Sequence, residues 1–355
     1  MQHRLNALRA RMGDHGADAV LLSFMPDIRW ASGFTGSNAL LIVTSSAVHF
    51  LTDGRYASQA NREVQDADVH IPEGSLLAYA AEEVLLPSGA AVLFQADHVT
   101  VANLEQLESH FPSVDWQPVS NFLVEQVAAK DVSEIEHVQA AQAITDDVFE
   151  HLCTVMEPGM TERAIAAEIV YQHMRRGAER MAFDPIVASG PNGSLPHARP
   201  THRKLQHGDF VVIDMGGVVN GYASDMTRTV ALGAVDQAAR RHYEAVLDAQ
   251  EQAIAAARAG MTGTELDTVA RNALREADLD DYFSHSLGHG IGLQTHEWPR
   301  LSQRVEHVLP VGATVTIEPG VYVPERYGIR IEDIVALQAD GCTNLTHAPK
   351  HLVVL

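Results

Sequence analysis

Residues 209–230 read DFVVIDMGGVVNGYASDMTRTV, and this stretch of an apolar strand, a turn and a return strand decides the fold. Asn220-Gly221 is a strong signal for a two-residue type I′ hairpin turn. With these two residues at the centre of the turn, Asp214 faces Thr227 on the opposite strand. Asp225 is then a diagonal neighbour of Asp214 on the same face, close enough for the two carboxylates to share an ion.

A second stretch repeats this template later in the chain. GATVTIEPG at 312–320 matches GDFVVIDMG at 208–216, each with a glycine, alternating apolar residues, a carboxylate, one residue and a glycine. The tripeptide GMT at 159–161 recurs at 260–262, and each copy opens a helical pattern. The repeats are about 100 residues apart, which is too long for a solenoid unit. They predict two similar αβ halves related by a pseudo-twofold axis.

Each half carries two acidic residues on apolar strands: Asp214 and Asp225 in the first, and Glu318 and Glu332 in the second. Aspartate is depleted in strands, and a buried carboxylate without a partner is costly. Taken singly, each residue could be an ordinary turn acid. Together, at matching places in matching halves, they indicate a metal or catalytic site. Asp333, beside Glu332, is expected to be solvated or salt-bridged.

Histidines complete the candidate set. His289 lies within SHSLGHGIGL at 284–293, where glycines allow another group to approach the backbone. A phosphate-binding loop is disfavoured, because the full G-x-G-x-x-G spacing is missing and no clean strand precedes it. The sequence around His296 is not H-E-x-x-H, so a single-zinc helix site of that type is excluded. His197 lies 99 residues before His296, so the internal repeat extends to the histidines.

Four carboxylates and one imidazole form a hard, oxygen-rich ligand set. This set favours Mn²⁺, Co²⁺, Fe²⁺ or Zn²⁺ over a thiolate zinc site. Four negative charges balance two divalent ions, so a two-metal site is expected. Two metals about 3.5–4 Å apart can share an activated water and polarise a carbonyl. The reaction class that follows is metal-assisted hydrolysis.

Composition bounds the remaining possibilities. The 355 residues carry a formal net charge of −21, which disfavours nucleic acid and anionic membrane surfaces as partners. The only cysteines, Cys153 and Cys342, exclude a disulfide framework and indicate a reducing, cytoplasmic location. No apolar run approaches the ~20 residues needed to span a bilayer.

The first third of the chain alternates short apolar strands with helices, which predicts a smaller α/β domain with a partly parallel sheet. A long helical stretch follows, with a capping box predicted at Ser133 and Glu136. We therefore expect two domains, residues 1–125 and 126–355.

The motifs resemble the pita-bread metallopeptidases, and within them the aminopeptidase P and prolidase branch. IDMGG…SDMTRT, SLGHGIGLQTHE, TIEPGVY and GIRIED stand in the family's order and spacing, and the resemblance covers essentially the whole chain. It implies a pita-bread catalytic domain in 126–355 and a creatinase-like α/β domain in 1–125. GFTGS at 33–37 and FLTDGRY at 50–56 resemble the N-terminal domain of bacterial members, which often reaches a partner subunit, so a homodimer is expected.

The resemblance also assigns roles. The implied dinuclear metal ligands are Asp214, Asp225, His289, Glu318 and Glu332. Glu318 would also move a proton from the water to the leaving proline nitrogen. His197 and His296 would contact the substrate and stabilise the tetrahedral intermediate. His285 would line the substrate pocket. Arg330 would also lie at the substrate site and would orient Glu332.

The expected activity is hydrolysis of Xaa–Pro bonds in proline-containing peptides by two divalent metal ions, Mn²⁺ first. An aminopeptidase P is expected, with GFTGS and DGRY inclining towards it, and a dipeptide-restricted prolidase is the alternative. Methionine aminopeptidase is disfavoured by the additional N-terminal residues. A metal-free creatinase-like hydrolase and a non-catalytic peptide-binding relative are disfavoured by the complete set of ligands.

Overall fold

The strands around Asn220-Gly221 pair in the register that the turn predicts. The computed structural model describes residues 2–355, and in it Val219 pairs with Tyr222 and Asp214 with Thr227. The φ angles of Asn220 and Gly221 are 48° and 77°, the left-handed values that a type I′ turn requires at both central positions. The predicted hairpin is therefore confirmed.

The chain folds into two units, the first ending at Val127 and the second beginning at Ala128. The helices and strands of the first unit are α1 (Gln2–Asp14), β1 (Ala19–Leu22), α2 (Met25–Ser32), β2 (Leu40–Thr44), β3 (Val48–Leu51), α3 (Ala57–Glu63), β4 (Asp68–His70), α4 (Leu76–Glu82), β5 (Ala91–Gln95), α5 (Val101–His110) and β6 (Asp115–Val119). Helix α6 (Val124–Ala128) ends at the boundary between the units.

The strands of the first unit form one six-stranded sheet in the order β4-β3-β2-β1-β5-β6. Strand β1 is parallel to β5 and antiparallel to β2, so the sheet is mixed, as the alternating pattern predicts. The central strands are buried, which explains why their sequences are continuous apolar runs. None of the helices described in residues 2–355 is long and apolar enough to cross a bilayer.

The two N-terminal motifs meet in one cluster on the first unit. The ring of Phe34, from GFTGS, packs edge-on against Tyr56, from DGRY, with centroids 5.6 Å apart. The hydroxyl groups of Ser37 and Tyr56 are hydrogen-bonded at 2.6 Å. A side chain at Gly36 would overlap the Phe34 ring, so the close approach requires glycine there.

The second unit contains two sets of helices and antiparallel strands. Its elements are α7 (Val132–Val155), α8 (Glu162–Arg175), β7 (Arg180–Met181), β8 (Ile186–Ser189), β9 (Phe210–Met215), β10 (Gly217–Val219), β11 (Tyr222–Ala223), β12 (Met226–Ala231), α9 (Gln237–Ala256), α10 (Gly263–Glu276), β13 (Gly288–Gly290), β14 (Glu297–Leu301), β15 (Thr314–Ile317), β16 (Gly320–Val323), β17 (Tyr327–Arg330), β18 (Asp333–Gln338) and β19 (Gly341–Asn344).

The internal repeat is visible in the pairing of these elements. Strand β9 lies between β8 and β12, and β15 lies between β13 and β18, all antiparallel. Helices α8 and α10 begin after the N-caps Thr161 and Thr262 of the two GMT copies. Each of these threonines also forms an isolated antiparallel bridge, with Lys204 and Val308 respectively. In both halves the strand that carries or directly precedes the first acid thus has an antiparallel neighbour on each side.

Two local predictions are wrong. The capping box of α7 is formed by Asp131 and Glu134, because the Asp131 carboxylate accepts the Glu134 N–H while the Glu134 carboxylate accepts the Asp131 N–H. Ser133 instead lies within the helix and donates to Asp131. Glu332 does not lie on a continuous strand, since β17 ends at Arg330 and β18 begins at Asp333.

A buried ion pair connects the return strand β12 to β18, and further contacts connect both to the C-terminal segment. The side chain of Arg228 is 1% exposed and donates to Asp333 Oδ1 at 2.8 Å. Lys350 Nζ lies 3.1 Å from the other oxygen of Asp333. Burial acts to raise the pKa of Asp333, but Arg228, Lys350 and Asn344 together hold it below its ordinary value. The remaining guanidinium hydrogen bonds are to the carbonyl oxygens of Thr227, Glu332, Ala348 and Pro349.

Arg228→Leu is expected to lower the free energy of unfolding by about 3–5 kcal/mol, because it removes the closest cation from the buried Asp333 carboxylate. Urea unfolding followed by circular dichroism measures the loss. The matched control is Arg326→Leu, which breaks the pair with Asp236, whose side chains are 53% and 55% exposed. The control should cost under about 1 kcal/mol. Equal losses in the two variants would contradict the prediction.

Candidate metal centre

One cavity of about 550 Å³ in the second unit is lined by every residue that the sequence singled out for the site. These residues are His197, Asp214, Asp225, His285, His289, His296, Glu318, Arg330 and Glu332. They come from both halves of the internal repeat and from sequence positions more than 130 residues apart. The folded chain therefore brings the whole predicted set together.

Each of the four acids lies on or beside a strand of its half. Asp214 lies on β9, and Asp225 directly precedes β12. Glu318 follows β15, and Glu332 occupies the break between β17 and β18. Asp214, Asp225 and Glu332 are buried, and the Glu318 side chain is 16% exposed, the highest value of the four side chains.

His289 directs its free nitrogen at the acids. Its Nε2 lies 3.7 Å from Asp225 Oδ2 and 3.5 Å from Glu318 Oε1. Its Nδ1 lies 3.1 Å from the Gly290 carbonyl, so we assign the ring proton to Nδ1, where it can be donated. Burial, and then His296, lower the pKa of His289 to about 4, so the ring is neutral at pH 7. A lone pair facing two carboxylates suits a bound cation between them.

The glycines around His289 permit close strand packing. A Cβ atom at Gly288 would overlap the carbonyl of Thr316, and one at Gly290 would overlap that of Trp298. The segment pairs as strand β13 with β14 and β15. The glycine density therefore serves sheet packing around the imidazole.

The carboxylates raise one another's pKa values. Burial, and then Glu332 and Asp214, raise the pKa of Asp225 well above its ordinary value. Burial, and then Glu332, do the same for Glu318. Burial, and then Asp214, raise the pKa of Glu332 to about 8. The acids therefore resist ionising together unless positive charge lies among them.

Arg330 connects both halves of the acidic cluster. Its Nη2 donates to Asp214 Oδ2 at 2.7 Å, and its Nε donates to Thr227 Oγ1 at 2.9 Å. The Thr227 hydroxyl in turn donates to Glu332 Oε2 at 2.6 Å. Arg330 thus orients Asp214 directly and Glu332 through Thr227. Its side chain is 4% exposed, so it lines the cavity from within the protein wall.

Tyr322 is a site residue that the sequence reasoning missed. Arg330 Nη1 donates to its hydroxyl at 2.8 Å, so that hydroxyl donates to His285 Nε2, also at 2.8 Å. His285 Nδ1 lies 2.9 Å from the Ser286 carbonyl and donates to it. Burial lowers the pKa of His285 to about 3, so the ring is a neutral wall with both nitrogens engaged. The signal in the sequence was a tyrosine in the strand directly after Glu318.

Arg300 is a second missed residue. It lines the same cavity, on strand β14, and its guanidinium makes no hydrogen bond or ion pair with any side chain or backbone group in residues 2–355. His296 lies near it, with its ring 4.3 Å from that of His289. Burial, and then Arg300, lower the pKa of His296. The cavity therefore offers one cation that is free to meet a ligand.

Comparison with known families identifies both units. The model of "Metallopeptidase family M24" matches residues 136–339, and that of "Creatinase/Prolidase N-terminal domain" matches residues 4–127.

The chain belongs to metallopeptidase family M24.

Similar proteins share its full length. An Xaa-Pro dipeptidase of Pyrococcus furiosus is 35% identical over 370 residues, covering 99% of this chain and 100% of the relative. The structure of an Xaa-Pro dipeptidase from Bacillus anthracis has a TM-score of 0.96 at 33% identity, covering 100% of this chain and 99% of that one. An X-Pro aminopeptidase from Thermotoga maritima has a TM-score of 0.90 at 34% identity, covering 96% and 98%. The predicted pita-bread fold with a creatinase-like N-terminal unit is confirmed.

The residues of this M24 metallopeptidase fit a divalent metal. Ligand atoms of Asp225, His289 and Glu332 all lie within 4.8 Å of one another. Asp214 Oδ1 is buried and accepts no hydrogen bond from any residue in 2–355, although Arg330 satisfies its other oxygen. An oxygen-rich set with one imidazole suits a hard or borderline divalent cation.

Added Mn²⁺ is expected to raise the melting temperature of the metal-free metallopeptidase, since a ligand at 100 times its Kd stabilises the folded state by about 2.7 kcal/mol. Glu332→Gln should lose most of this increase in differential scanning fluorimetry, because it removes a negatively charged metal-binding group from the cluster. Asp281→Asn, a change at an exposed acid outside the cavity, is the control and should keep the full increase. An undiminished increase in Glu332→Gln would exclude it as a ligand.

Proposed function

We propose that this metallopeptidase hydrolyses the Xaa–Pro bond at the N-terminus of peptides. The observation that carries the proposal is the meeting of four acids, a neutral imidazole and a free arginine in one cavity. The names of the similar proteins, Xaa-Pro dipeptidase and X-Pro aminopeptidase, support the substrate class. The metal ligands that we propose are Asp214, Asp225, His289, Glu318 and Glu332.

Two divalent ions at this site would activate a water molecule and polarise the scissile carbonyl group. Among the acids, Glu318 has the most exposed side chain and is therefore the most accessible to a water molecule in the cavity. It is therefore suited to take a proton from the water and deliver it to the proline nitrogen as that nitrogen leaves. Delivery is needed because a proline leaving group departs as an amine.

His197 and His296 are the proposed stabilisers of the tetrahedral intermediate. Both line the cavity, and they come from matching places in the two halves. A donor aimed at the developing oxyanion contributes about 10²–10³ in turnover. His285 does not share this role in our proposal, because its two nitrogens already bond Tyr322 and Ser286. It forms part of the uncharged wall of the substrate pocket.

A dipeptidase is the second candidate, and Arg300 favours it. An aminopeptidase leaves the cleft open beyond proline, whereas a dipeptidase needs a group that binds the proline carboxylate. A free guanidinium in the cavity is suited to bind a carboxylate in a bidentate manner. Both candidates use the same acids and histidines and differ only in the length of peptide accepted.

We propose Mn²⁺ as the metal, two ions per chain, because carboxylate oxygens dominate the ligand set. We also propose that the enzyme acts in the cytoplasm as a homodimer, with catalysis in residues 126–355 and residues 1–125 contributing to assembly. The free thiols of Cys153 and Cys342 support a reducing compartment. Sedimentation equilibrium tests the dimer, and a monomer at micromolar concentration would exclude it.

Hydrolysis of Ala-Pro and Ala-Pro-Ala is expected to stop when a chelator removes the metal and to return when Mn²⁺ is added back. Asp225→Asn should abolish turnover with the fold largely retained, because the amide removes a ligand charge while preserving shape. Released proline measures the dipeptide reaction, and released alanine the tripeptide reaction. Full activity after chelation, or wild-type turnover in Asp225→Asn, would exclude the proposal.

Arg300→Met is expected to raise KM for Ala-Pro at least tenfold while changing KM for Ala-Pro-Ala amide by less than about threefold, because only the dipeptide places its carboxylate beside proline. The control is Arg304→Met, since Arg304 is exposed and does not line the cavity. If Arg300→Met raises KM by the same factor for both substrates, the dipeptidase candidate loses its support.

A further inference from the structure

A loop outside the metal ligands carries His197 to the cavity. It follows β8, which ends at Ser189, and begins with a 3-10 turn at Gly190–Ser194. The proposed catalytic histidine comes three residues after that turn. Loop residues on their own are mobile, so a group that must act at a defined position needs its loop fixed.

Both ends of this loop are tied to one buried carboxylate, that of Glu162. Glu162 Oε1 accepts the Ser189 N–H at 2.8 Å and the Ser189 hydroxyl at 2.7 Å. Glu162 Oε2 accepts the Thr201 N–H at 2.9 Å and the Thr201 hydroxyl at 2.6 Å. Asn192 Nδ2 donates to both oxygens, at 3.0 and 3.1 Å. The carboxylate therefore closes the loop that contains His197.

The donors around Glu162 require a carboxylate, because N–H and hydroxyl groups approach both of its oxygens. The residue is 0% exposed and forms no ion pair within 4 Å in residues 2–355. Burial acts to raise the pKa of Glu162, but the bonds from Thr201 and Ser189 more than offset it and hold the pKa below its ordinary value. A glutamine would turn an N–H₂ group towards one of the two sets of donors. One end of the loop would then lose its acceptor.

Other hydrogen bonds fix the loop relative to the candidate metal centre. Arg330 Nη1 donates to the carbonyl of Pro196, the residue before His197, at 3.1 Å. Arg203 donates to the Ser189 hydroxyl at 2.6 Å and pairs with Asp209 through both terminal nitrogens. The loop is thus held at its ends by Glu162 and at its middle by the same arginine that orients Asp214.

We propose that Glu162 is a positioning residue for His197: its carboxylate fixes the loop from Ser189 to Thr201, so that the imidazole lies where the oxyanion forms. This inference rests on the proposed function, in which His197 acts on the tetrahedral intermediate. Glu162 itself touches neither substrate nor metal in this proposal, and it acts only through the loop.

The second half offers a matched control. Glu162 directly follows the first GMT copy, whereas Glu265 lies three residues after the second, in the first turn of α10. Glu265 is exposed and closes only the capping box of α10 with Thr262. Glu265→Gln therefore changes the same residue type at the start of the corresponding helix without touching a loop of the site.

A double-mutant cycle on the Mn²⁺-loaded enzyme tests the proposal. His197→Ala is expected to lower kcat about 100-fold, and Glu162→Gln about 10-fold or more, with KM changed less than about threefold. In the double variant kcat should equal that of His197→Ala within about twofold, because a displaced loop cannot lower kcat further once the imidazole has been removed. Glu265→Gln should change kcat less than about twofold in both backgrounds.

The outcomes separate this proposal from the proposed function. Multiplicative losses in the double variant, or a Glu162→Gln effect on KM alone, overturn the positioning role and leave that of His197 intact. Wild-type turnover in His197→Ala instead removes the catalytic assignment of His197, and this inference with it.

Hydrogen–deuterium exchange gives a readout that does not depend on activity. Glu162→Gln should speed exchange of the backbone amides in 189–201 and leave those in 283–287 unchanged, and equal protection in 189–201 would overturn the proposal. If Glu162→Gln fails to fold, Thr201→Val replaces it, since it removes one hydroxyl donor at nearly constant volume. The same non-additivity with His197→Ala and the same local loss of protection are then expected.

Discussion

Electrostatic repulsion among four carboxylates in one buried cavity is the constraint on which the rest of the second unit depends. Buried acids stay protonated unless positive charge or hydrogen-bond donors compensate them. Arg330 supplies one such charge and reaches two of the acids, Asp214 directly and Glu332 through Thr227. Divalent cations would balance the remaining negative charge of the carboxylates. This explains why the neutral His289 faces the acids with an unprotonated nitrogen.

Two adjacent acids differ in their surroundings: Glu332 lines the cavity, whereas Asp333 forms a buried ion pair. Glu332 faces other carboxylates, and its pKa is raised to about 8. The pKa of its neighbour Asp333 is lowered, since Asp333 faces Arg228 and Lys350. Successive side chains of an extended segment point to opposite sides, so two acids one residue apart meet opposite electrostatic environments. Arg228 also donates to the Glu332 carbonyl, so the cation of the buried ion pair also holds the backbone of an acid that lines the cavity.

Local sequence signals predicted much of this arrangement. The Asn220-Gly221 turn predicts the register of Asp214 against Thr227, and the repeated strand template predicts the two halves. Long-range contacts could not be predicted from local sequence. Arg300 has no local signal, and the position of Tyr322 after Glu318 does not show that its hydroxyl contacts Arg330 and His285. Asp333 was expected to be solvated or salt-bridged, and the ion pair is confirmed while solvation is wrong. The α7 cap was misplaced by two residues, because Asp131 and Ser133 are both good N-cap residues and only the geometry decides between them.

Each half of the repeat anchors a histidine-bearing segment, although the two segments are not at matching places, and the backbone explains why the anchors differ. The loop from Ser189 to Thr201 presents N–H and hydroxyl donors, which one carboxylate, that of Glu162, can satisfy. The segment before β13 presents the carbonyls of Phe283 and His285 together with the N–H of Leu287. Carbonyls need donors, so Asp267 on α10 accepts the N–H and pairs with Arg271, which donates to the carbonyls. A duplicated fold can therefore keep its strands and acids while each half matches its anchors to the polar groups that its own loop exposes.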